Sequence, residues 1–151
     1  MKAILVLCIG NICRSPMAEA LLLRALPGMT VRSAGLDAVI GAPADPTSIA
    51  LMAEAGLDIS AHRGQQVNSA LVTHADLILV MDGRQKQEMH RRYPTSAGKV
   101  FCLGEHERAD IPDPYAQARA SFEHALHLIE VSVNSWVPPI RALQEPNKEY
   151  F

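Results

Sequence analysis

The sequence predicts an α/β fold: a four-stranded parallel sheet flanked by helices on both faces, a Rossmann-like three-layer sandwich. Apolar runs of strand length alternate with segments of helical spacing along the whole chain. Strands that alternate with helices in this way usually pair in parallel. With 151 residues, 48% of them hydrophobic, the chain is long enough to bury one substantial core.

Four apolar or β-branched runs are the predicted strands. The run at residues 2–7 is continuous enough to be buried on both faces of a sheet. The other runs lie at residues 30–33, 76–81 and 99–103. Because ligands of parallel sheets bind beyond the carboxyl ends of the strands, we expect the loops after these runs to form the functional edge.

Helices are expected between the strands and after the last one. Ser15-Pro16 would start the first helix, with serine as N-cap and proline at the first helical position, and Pro27-Gly28 would end it. Pro138-Pro139 is expected to end or kink the last helix. The later helices are expected at residues 45–56, 68–74, 84–93 and 121–136.

Composition restricts the class of function. The formal net charge of −2 argues against broad binding of nucleic acid or of an anionic membrane surface. No apolar run approaches the roughly 20 residues that span a bilayer, and no signal peptide is recognised, so no membrane insertion is expected. Three cysteines do not suit a disulfide scaffold, which predicts reduced thiols and a cytoplasmic protein. We expect one domain at residues 1–143 and a loosely held tail at 144–151.

The loop LCIGNICRSP, between the first strand and the first helix, carries the clearest functional signal. A loop that enters a helix N-terminus collects backbone N–H groups and positive helix-dipole potential, so it suits an anion. Gly10 permits a tight turn, Asn11 tolerates a left-handed conformation, and Arg14 can hold two oxygens of a phosphate. The same field favours the thiolate of Cys8, which is the nucleophilic form. We therefore expect the loop both to bind a phosphate and to attack it, with Ser15 donating a hydrogen bond to the sulfur.

Two other interpretations of the cysteine pair are a pair of buried core thiols and half of a metal site. No second pair of cysteines or histidines stands nearby at ligand spacing, so no metal is expected. His124 and His127 stand three residues apart on the predicted last helix, where a surface position is expected.

The motif C-x-G-N-x-C-R-S-P at residues 8–16 resembles the signature of low-molecular-weight protein tyrosine phosphatases. Ile12 and the general run of the chain are most similar to the bacterial branch that is paired with tyrosine kinases of exopolysaccharide or capsule export. Further matching segments are Ser33-Ala34-Gly35, His62-Arg63, Met81-Asp82 and Asp113-Pro114-Tyr115.

This resemblance implies a role for individual residues and requires no cofactor. Cys8 would form a phosphocysteine, Arg14 would hold the phosphoryl oxygens, and Asp113 would protonate the leaving oxygen and then activate water. The phosphate-binding loop would comprise Ile9, Gly10, Asn11, Ile12, Cys13, Arg14 and Ser15. Its polar support would be Asn11, Ser15, Ser33 and His62.

Further implied roles concern the surroundings of the loop. Cys13 would form a reversible disulfide with Cys8 and protect it from over-oxidation. An aliphatic cleft wall is expected through Val39 or Ile40, with Tyr115 at the mouth of the pocket. The chemistry requires a general acid but does not distinguish Asp110 from Asp113. The Asp-Pro-Tyr match favours Asp113.

The expected substrate is a phosphotyrosine protein, an autophosphorylated bacterial tyrosine kinase, and phosphate or other oxyanions should occupy the site. Three other functions stay open. Arsenate reductases need further cysteines, and only Cys102 stands downstream, where a buried thiol is expected. Protein-arginine phosphatases carry threonine where Ile12 stands. A non-catalytic phosphoprotein-binding module is disfavoured because Cys8, Arg14 and Asp113 are all present.

Overall fold

A computed structural model describes residues 1–144, and its elements follow the predicted alternation. A short 3-10 helix, Pro94–Lys99, was not expected. The strands are β1 Ala3–Cys8, β2 Thr30–Gly35, β3 Leu77–Val80 and β4 Val100–Cys102. The helices are α1 Arg14–Ala25, α2 Pro46–Glu54, α3 Ser69–His74, α4 Gly83–Arg92 and α5 Arg119–Gln144.

The four strands form one parallel sheet in the order β2-β1-β3-β4, which confirms the predicted fold class. Successive side chains of β1 enter opposite cores because strand side chains alternate between faces. Ile4 and Val6 belong to the core that α1, α2 and α5 cover. Leu5 and Leu7 belong to the core on the other face, together with residues of α3 and α4.

The carboxyl end of β1 lies where the strand order changes direction. The chain leaves β1 for β2 on one side and later returns to β3 on the other. The helices after β1 and β3 therefore lie on opposite faces, which opens a crevice beyond the end of β1. Residues 9–13, between β1 and α1, lie at that crevice.

The predicted start of the first helix is wrong by two residues, because the helix begins at Arg14 rather than at Pro16, and its serine cap is absent. Cys13 occupies the N-cap position and makes no side-chain cap hydrogen bond. Ser15 lies inside the helix because its hydroxyl is used by the loop instead. By contrast, α2, α3 and α4 have side-chain caps, from Asp45, Asn68 and Asp82. The first N–H groups of α1 are therefore left for another acceptor.

The last helix is longer than predicted. It runs through Pro138-Pro139 to Gln144 rather than ending near residue 136. Buried Trp136 and Ile140, on either side of the two prolines, keep the helix packed against the core despite the lost N–H donors. Of the expected tail, residues 145–151 lie outside the described part. Within residues 1–144, no helix is both long and apolar enough to cross a membrane.

Candidate active site

A cavity of about 250 Å³ opens beyond the carboxyl end of β1. It brings together residues that are far apart in the sequence, including all three of the predicted catalytic residues. The lining residues are Cys8, Ile9, Gly10, Ile12, Cys13, Arg14, Asp37, Val39, Asp113 and Tyr115. Six of them lie between the last residue of β1 and the first residue of α1, and the other four come from the loops after β2 and β4.

The backbone carbonyls of residues 8–13 all accept hydrogen bonds from outside the loop. The donors, in order, are the N–H groups of Leu36, Asp37 and Val39, the Nε2 of His62, the N–H of Asp45 and the hydroxyl of Ser48, at 2.9, 3.0, 2.9, 2.6, 2.8 and 3.3 Å. A carbonyl can only accept, so His62 carries a proton on Nε2. The peptides are trans, so each following N–H points the opposite way, away from these donors.

Asn11 holds the centre of the loop. It has a φ of 59° and is fully buried. Its Nδ2 donates to the hydroxyls of Ser15 and Ser33 at 2.8 and 3.0 Å, and its Oδ1 accepts from the N–H of Gln65 at 2.9 Å. With the bond from His62 to its carbonyl, Asn11 contacts the other three residues expected to support the loop.

Glu19 extends this network and was not anticipated from the sequence. Its Oε1 accepts from the hydroxyl of Ser33 at 3.1 Å and lies 3.9 Å from Nδ1 of His62. Burial raises the pKa of the Glu19 carboxyl, while the bond from Ser33 and the charge of His62 oppose that rise. The only signal in the sequence is an acidic residue among the small and apolar residues of α1.

Cys8 and Arg14 are held rigidly below the cavity. The Cys8 Sγ is 3.0 Å from the Ser15 hydroxyl, which can donate to a thiolate. The Arg14 side chain is 3% exposed and donates to the carbonyl of Ile111 at 2.8 Å. It also lies 3.8 Å from carboxylate oxygens of Asp82 and of Asp113. An anion above Cys8 would thus meet a guanidinium that is already oriented.

Cys13 lines the same cavity but has a different environment. Burial, with the charge of Asp45, raises the pKa of the Cys13 thiol to about 12. It is therefore a neutral thiol at physiological pH. Both Cys8 and Cys13 are free thiols in the structure.

Cys102 is also free, but it is partly exposed, which corrects the expectation of a buried thiol. Cys102 belongs to β4, a strand of three residues at the edge of the sheet that pairs with only one other strand, β3.

Asp113 lies at the mouth of the cavity with its side chain about half exposed. Its Oδ1 accepts from the backbone N–H of Tyr115 at 3.1 Å. The rival acid Asp110 is exposed and does not line the cavity. This position leaves the Asp113 carboxyl accessible to a group bound above Cys8.

The cleft wall is aliphatic, as expected, but only one of the two candidates forms it. Val39 lines the cavity, whereas Ile40 is 73% exposed and does not. The backbone N–H of Val39 donates to the carbonyl of Gly10 at 2.9 Å, which holds Val39 against the loop. Ile9 forms part of the wall instead, and Tyr115 lies across the mouth. Within residues 1–144, no three His, Cys, Asp or Glu side chains are grouped closely enough to hold a metal ion.

Comparison with known proteins agrees with this geometry. The profile of the family described as "Low molecular weight phosphotyrosine protein phosphatase" matches residues 3–149. The chain is 58% identical to "Probable low molecular weight protein-tyrosine-phosphatase EpsP" of Ralstonia nicotianae, over 94% of this chain and 98% of that protein.

Solved structures of similar proteins have the same fold as this chain. Vibrio vulnificus Wzb, solved in complex with benzylphosphonate, is 40% identical, with a TM-score of 0.88 over 91% of this chain and 98% of that chain. The YwlE arginine phosphatase of Geobacillus stearothermophilus is 29% identical, with a TM-score of 0.91 over the full length of both chains. This chain therefore belongs to the low molecular weight protein tyrosine phosphatase family.

Proposed function

We propose that this protein hydrolyses phosphotyrosine in proteins through a phosphocysteine intermediate on Cys8. The observation that carries the proposal is the loop whose carbonyls are all bound from outside. Such a loop offers its N–H groups and Arg14 to the oxygens of one phosphoryl group, directly above the sulfur of Cys8. Family membership supports the same chemistry.

The first chemical step would be attack of the Cys8 thiolate on phosphorus. The bond from phosphorus to the tyrosine oxygen breaks, and Asp113 gives that oxygen its proton. Arg14 and the loop N–H groups would neutralise the charge on the three equatorial oxygens. In the second step Asp113 takes a proton from water, water attacks phosphorus, and the thiolate leaves with a hydrogen bond from Ser15 to its sulfur.

The shape and polarity of the cavity favour an aryl phosphate. Ile9, Val39 and Tyr115 provide an apolar mouth above the anion site, and Ile12 adds an aliphatic side chain within it. The similar Vibrio vulnificus protein was solved with benzylphosphonate, an aryl phosphate mimic, which supports a ring in this position. The structural similarity to an arginine phosphatase makes phosphoarginine the rival substrate to test.

We further propose that the substrate is an autophosphorylated bacterial tyrosine kinase of exopolysaccharide or capsule export. The support is the resemblance of the sequence to the bacterial branch and the 58% identity to the protein named EpsP. A thiolate nucleophile requires a reducing compartment, so a cytoplasmic location is part of this proposal.

The function is tested by turnover of phosphotyrosine, phosphoserine and phosphoarginine peptides of one sequence, with arsenate reduction measured in parallel. We expect phosphotyrosine to be hydrolysed at least tenfold faster than the others. The variant Cys8→Ser should lose turnover but still bind vanadate or phosphate. Near-native turnover by this variant would refute the mechanism, and faster hydrolysis of phosphoarginine would refute the substrate.

The role of Asp113 is tested with aryl phosphates whose leaving groups differ in basicity. Asp113→Asn should slow a poor leaving group by a factor on the order of 10² to 10⁴ and a good one much less, because only the poor one needs the proton. Asp110→Asn is the matched control and should behave as the wild type. Equal losses for all leaving groups in Asp113→Asn would contradict the assignment.

Cys13 is proposed as the redox partner of Cys8. Peroxide would oxidise Cys8 to the sulfenic acid, and the Cys13 sulfur would then displace water to form the disulfide. We expect peroxide-treated wild type to recover activity with thiol and Cys13→Ala to recover much less. Equal recovery of the two proteins would show that Cys13 has no protective role.

A further inference from the structure

A second groove continues from the catalytic cavity along the first turns of α4. It has a volume of about 480 Å³ and shares Ile9, Arg14, Asp37 and Asp113 with the cavity above Cys8. Its additional lining residues are Leu36, Asp82, Arg84, Gln85, Glu88 and Arg92. A peptide whose phosphotyrosine enters the cavity would therefore have a path across this groove.

Four carboxylates and three arginines line this groove. Each of its four carboxylates lies within 4.0 Å of an arginine. These pairs are Asp82 with Arg14, Asp113 with Arg14, Asp37 with Arg92 and Glu88 with Arg92, at 3.8, 3.8, 3.3 and 2.7 Å. Arg84 is exposed and has no carboxylate within that distance among residues 1–144. It is also the second residue of α4, where the helix dipole adds positive potential.

Gln85 gives an independent indication of a ligand. Its side chain is almost fully buried in the wall of this groove, and its Oε1 accepts from the backbone N–H of Met81 at 2.9 Å. That bond fixes the orientation of the amide. The Nε2 is buried and has no acceptor among the described residues. A buried donor without an acceptor costs about 1–3 kcal/mol, which an entering carbonyl oxygen or a bridging water would relieve.

We propose that this groove binds the substrate chain next to the phosphotyrosine and that Arg84 pairs with an acidic side chain of that chain. The inference rests on the proposed function and names the class of substrate: acidic phosphotyrosine segments. A basic segment would face Arg84, and every carboxylate of the groove already lies within 4.0 Å of Arg14 or Arg92. Ile9, 41% exposed between the two cavities, offers apolar contact to the residue adjacent to the phosphotyrosine.

The expected effect is modest because Arg84 is exposed to solvent. Exposed ion pairs change an equilibrium by a factor of about two to five, and salt screens them. We therefore expect a two- to fivefold preference in kcat/KM for an acidic over a neutral peptide at low ionic strength. The preference should decline toward one in about 0.5 M salt.

The test compares phosphotyrosine peptides of equal length that carry either Glu or Gln at each of three positions on either side. The ratio of kcat/KM for each Glu/Gln pair is measured for wild type, Arg84→Gln and Arg84→Glu. Arg32→Gln is the matched control, since Arg32 is exposed, lies away from this groove and likewise has no carboxylate partner among residues 1–144. The ratio cancels any effect of these variants on folding or on the chemical step.

We expect the ratio to exceed two at one or more positions in the wild type and in Arg32→Gln. It should approach one in Arg84→Gln and fall below one in Arg84→Glu. A ratio of one at all positions in the wild type, or an unchanged ratio in Arg84→Gln, would overturn the proposal while leaving hydrolysis of phosphotyrosine intact. Absence of hydrolysis of every peptide by the wild type would instead refute the proposed function, and this inference with it.

Discussion

Replacement of Asn11 tests whether the loop geometry depends on one side chain. Asn11→Ala and Asn11→Gly both remove the same three side-chain hydrogen bonds, two donated by Nδ2 and one accepted by Oδ1. They differ at the backbone, because the φ of 59° is unfavourable for alanine and accessible to glycine. The pair of variants therefore separates the hydrogen bonds from the backbone conformation.

The magnitudes follow from these contacts. Three hydrogen bonds at about 0.5–1.5 kcal/mol each predict a loss of about 1.5–4.5 kcal/mol in the free energy of unfolding. The left-handed conformation destabilises the alanine variant by about 1–2 kcal/mol and the glycine variant hardly at all. Glycine, however, loses more chain entropy on folding, which removes up to about 1 kcal/mol of this difference between the variants. We thus expect Asn11→Ala to be less stable than Asn11→Gly by roughly 1 kcal/mol. The free energy of unfolding of a domain of this size is about 5–15 kcal/mol, so both variants should still fold.

The assay combines urea unfolding with turnover of para-nitrophenyl phosphate at 25 °C. Turnover should fall by a factor of about 100 in both variants, because displaced N–H groups no longer match the phosphoryl oxygens. Asn68→Ala is the control: it removes the cap of α3, which costs about 1 kcal/mol, away from the site. Wild-type stability and turnover in Asn11→Gly would refute the reasoning, as would an equal loss of turnover in Asn68→Ala.

Three further predictions concern packing, thiol chemistry and acid stability. Gly35→Ala would place a Cβ 2.5 Å from the carbonyl oxygen of Ile9. Thermal unfolding should therefore show a loss of about 1–3 kcal/mol in the free energy of unfolding, together with reduced turnover. Unchanged stability and turnover would contradict this close contact. Iodoacetamide at pH 7.5 should alkylate Cys8 well before Cys13, because the raised pKa keeps Cys13 protonated; equal rates by mass spectrometry would exclude this environment. Two hydrogen bonds from backbone N–H groups lower the pKa of the Asp76 carboxyl. The stabilisation of the wild type relative to Asp76→Asn should therefore be complete above the unfolded-state pKa of about 3.9 and be lost as the pH falls through the lower pKa of the folded state. Urea midpoints of the two proteins that still differ at the acid end would contradict this prediction.

Much of the fold could be predicted from local pattern. The strand ending at Cys8 is buried on both faces, and its continuous apolar run predicts exactly that kind of environment, as does the run of β3. The loop residues Gly10 to Ser15 could be assigned to an anion site because residue types suited to that task stand together. Asn11 in particular adopts the left-handed conformation that its tolerance for positive φ suggests.

Other features depend on contacts that no local pattern records. Ser15-Pro16 has the composition of a helix start, but the hydroxyl of Ser15 bonds to Asn11 and Cys8, and the helix begins two residues earlier, at Arg14. Pro138-Pro139 would end an isolated helix, yet tertiary packing carries α5 past them. Glu19 and Ser48 act on the loop from separate helices, and nothing in their own neighbourhood in sequence predicts it.

The donors that hold the loop carbonyls come from three separate parts of the chain: the segment after β2, the beginning of α2, and the region around His62. The anion site is thus the sum of several elements that must all be folded at once. A phosphate ion would bind only the complete domain, so it should raise the melting temperature of the whole protein rather than order one loop. Turnover should accordingly disappear on heating in step with the far-ultraviolet circular dichroism, which makes activity a direct gauge of the fraction folded.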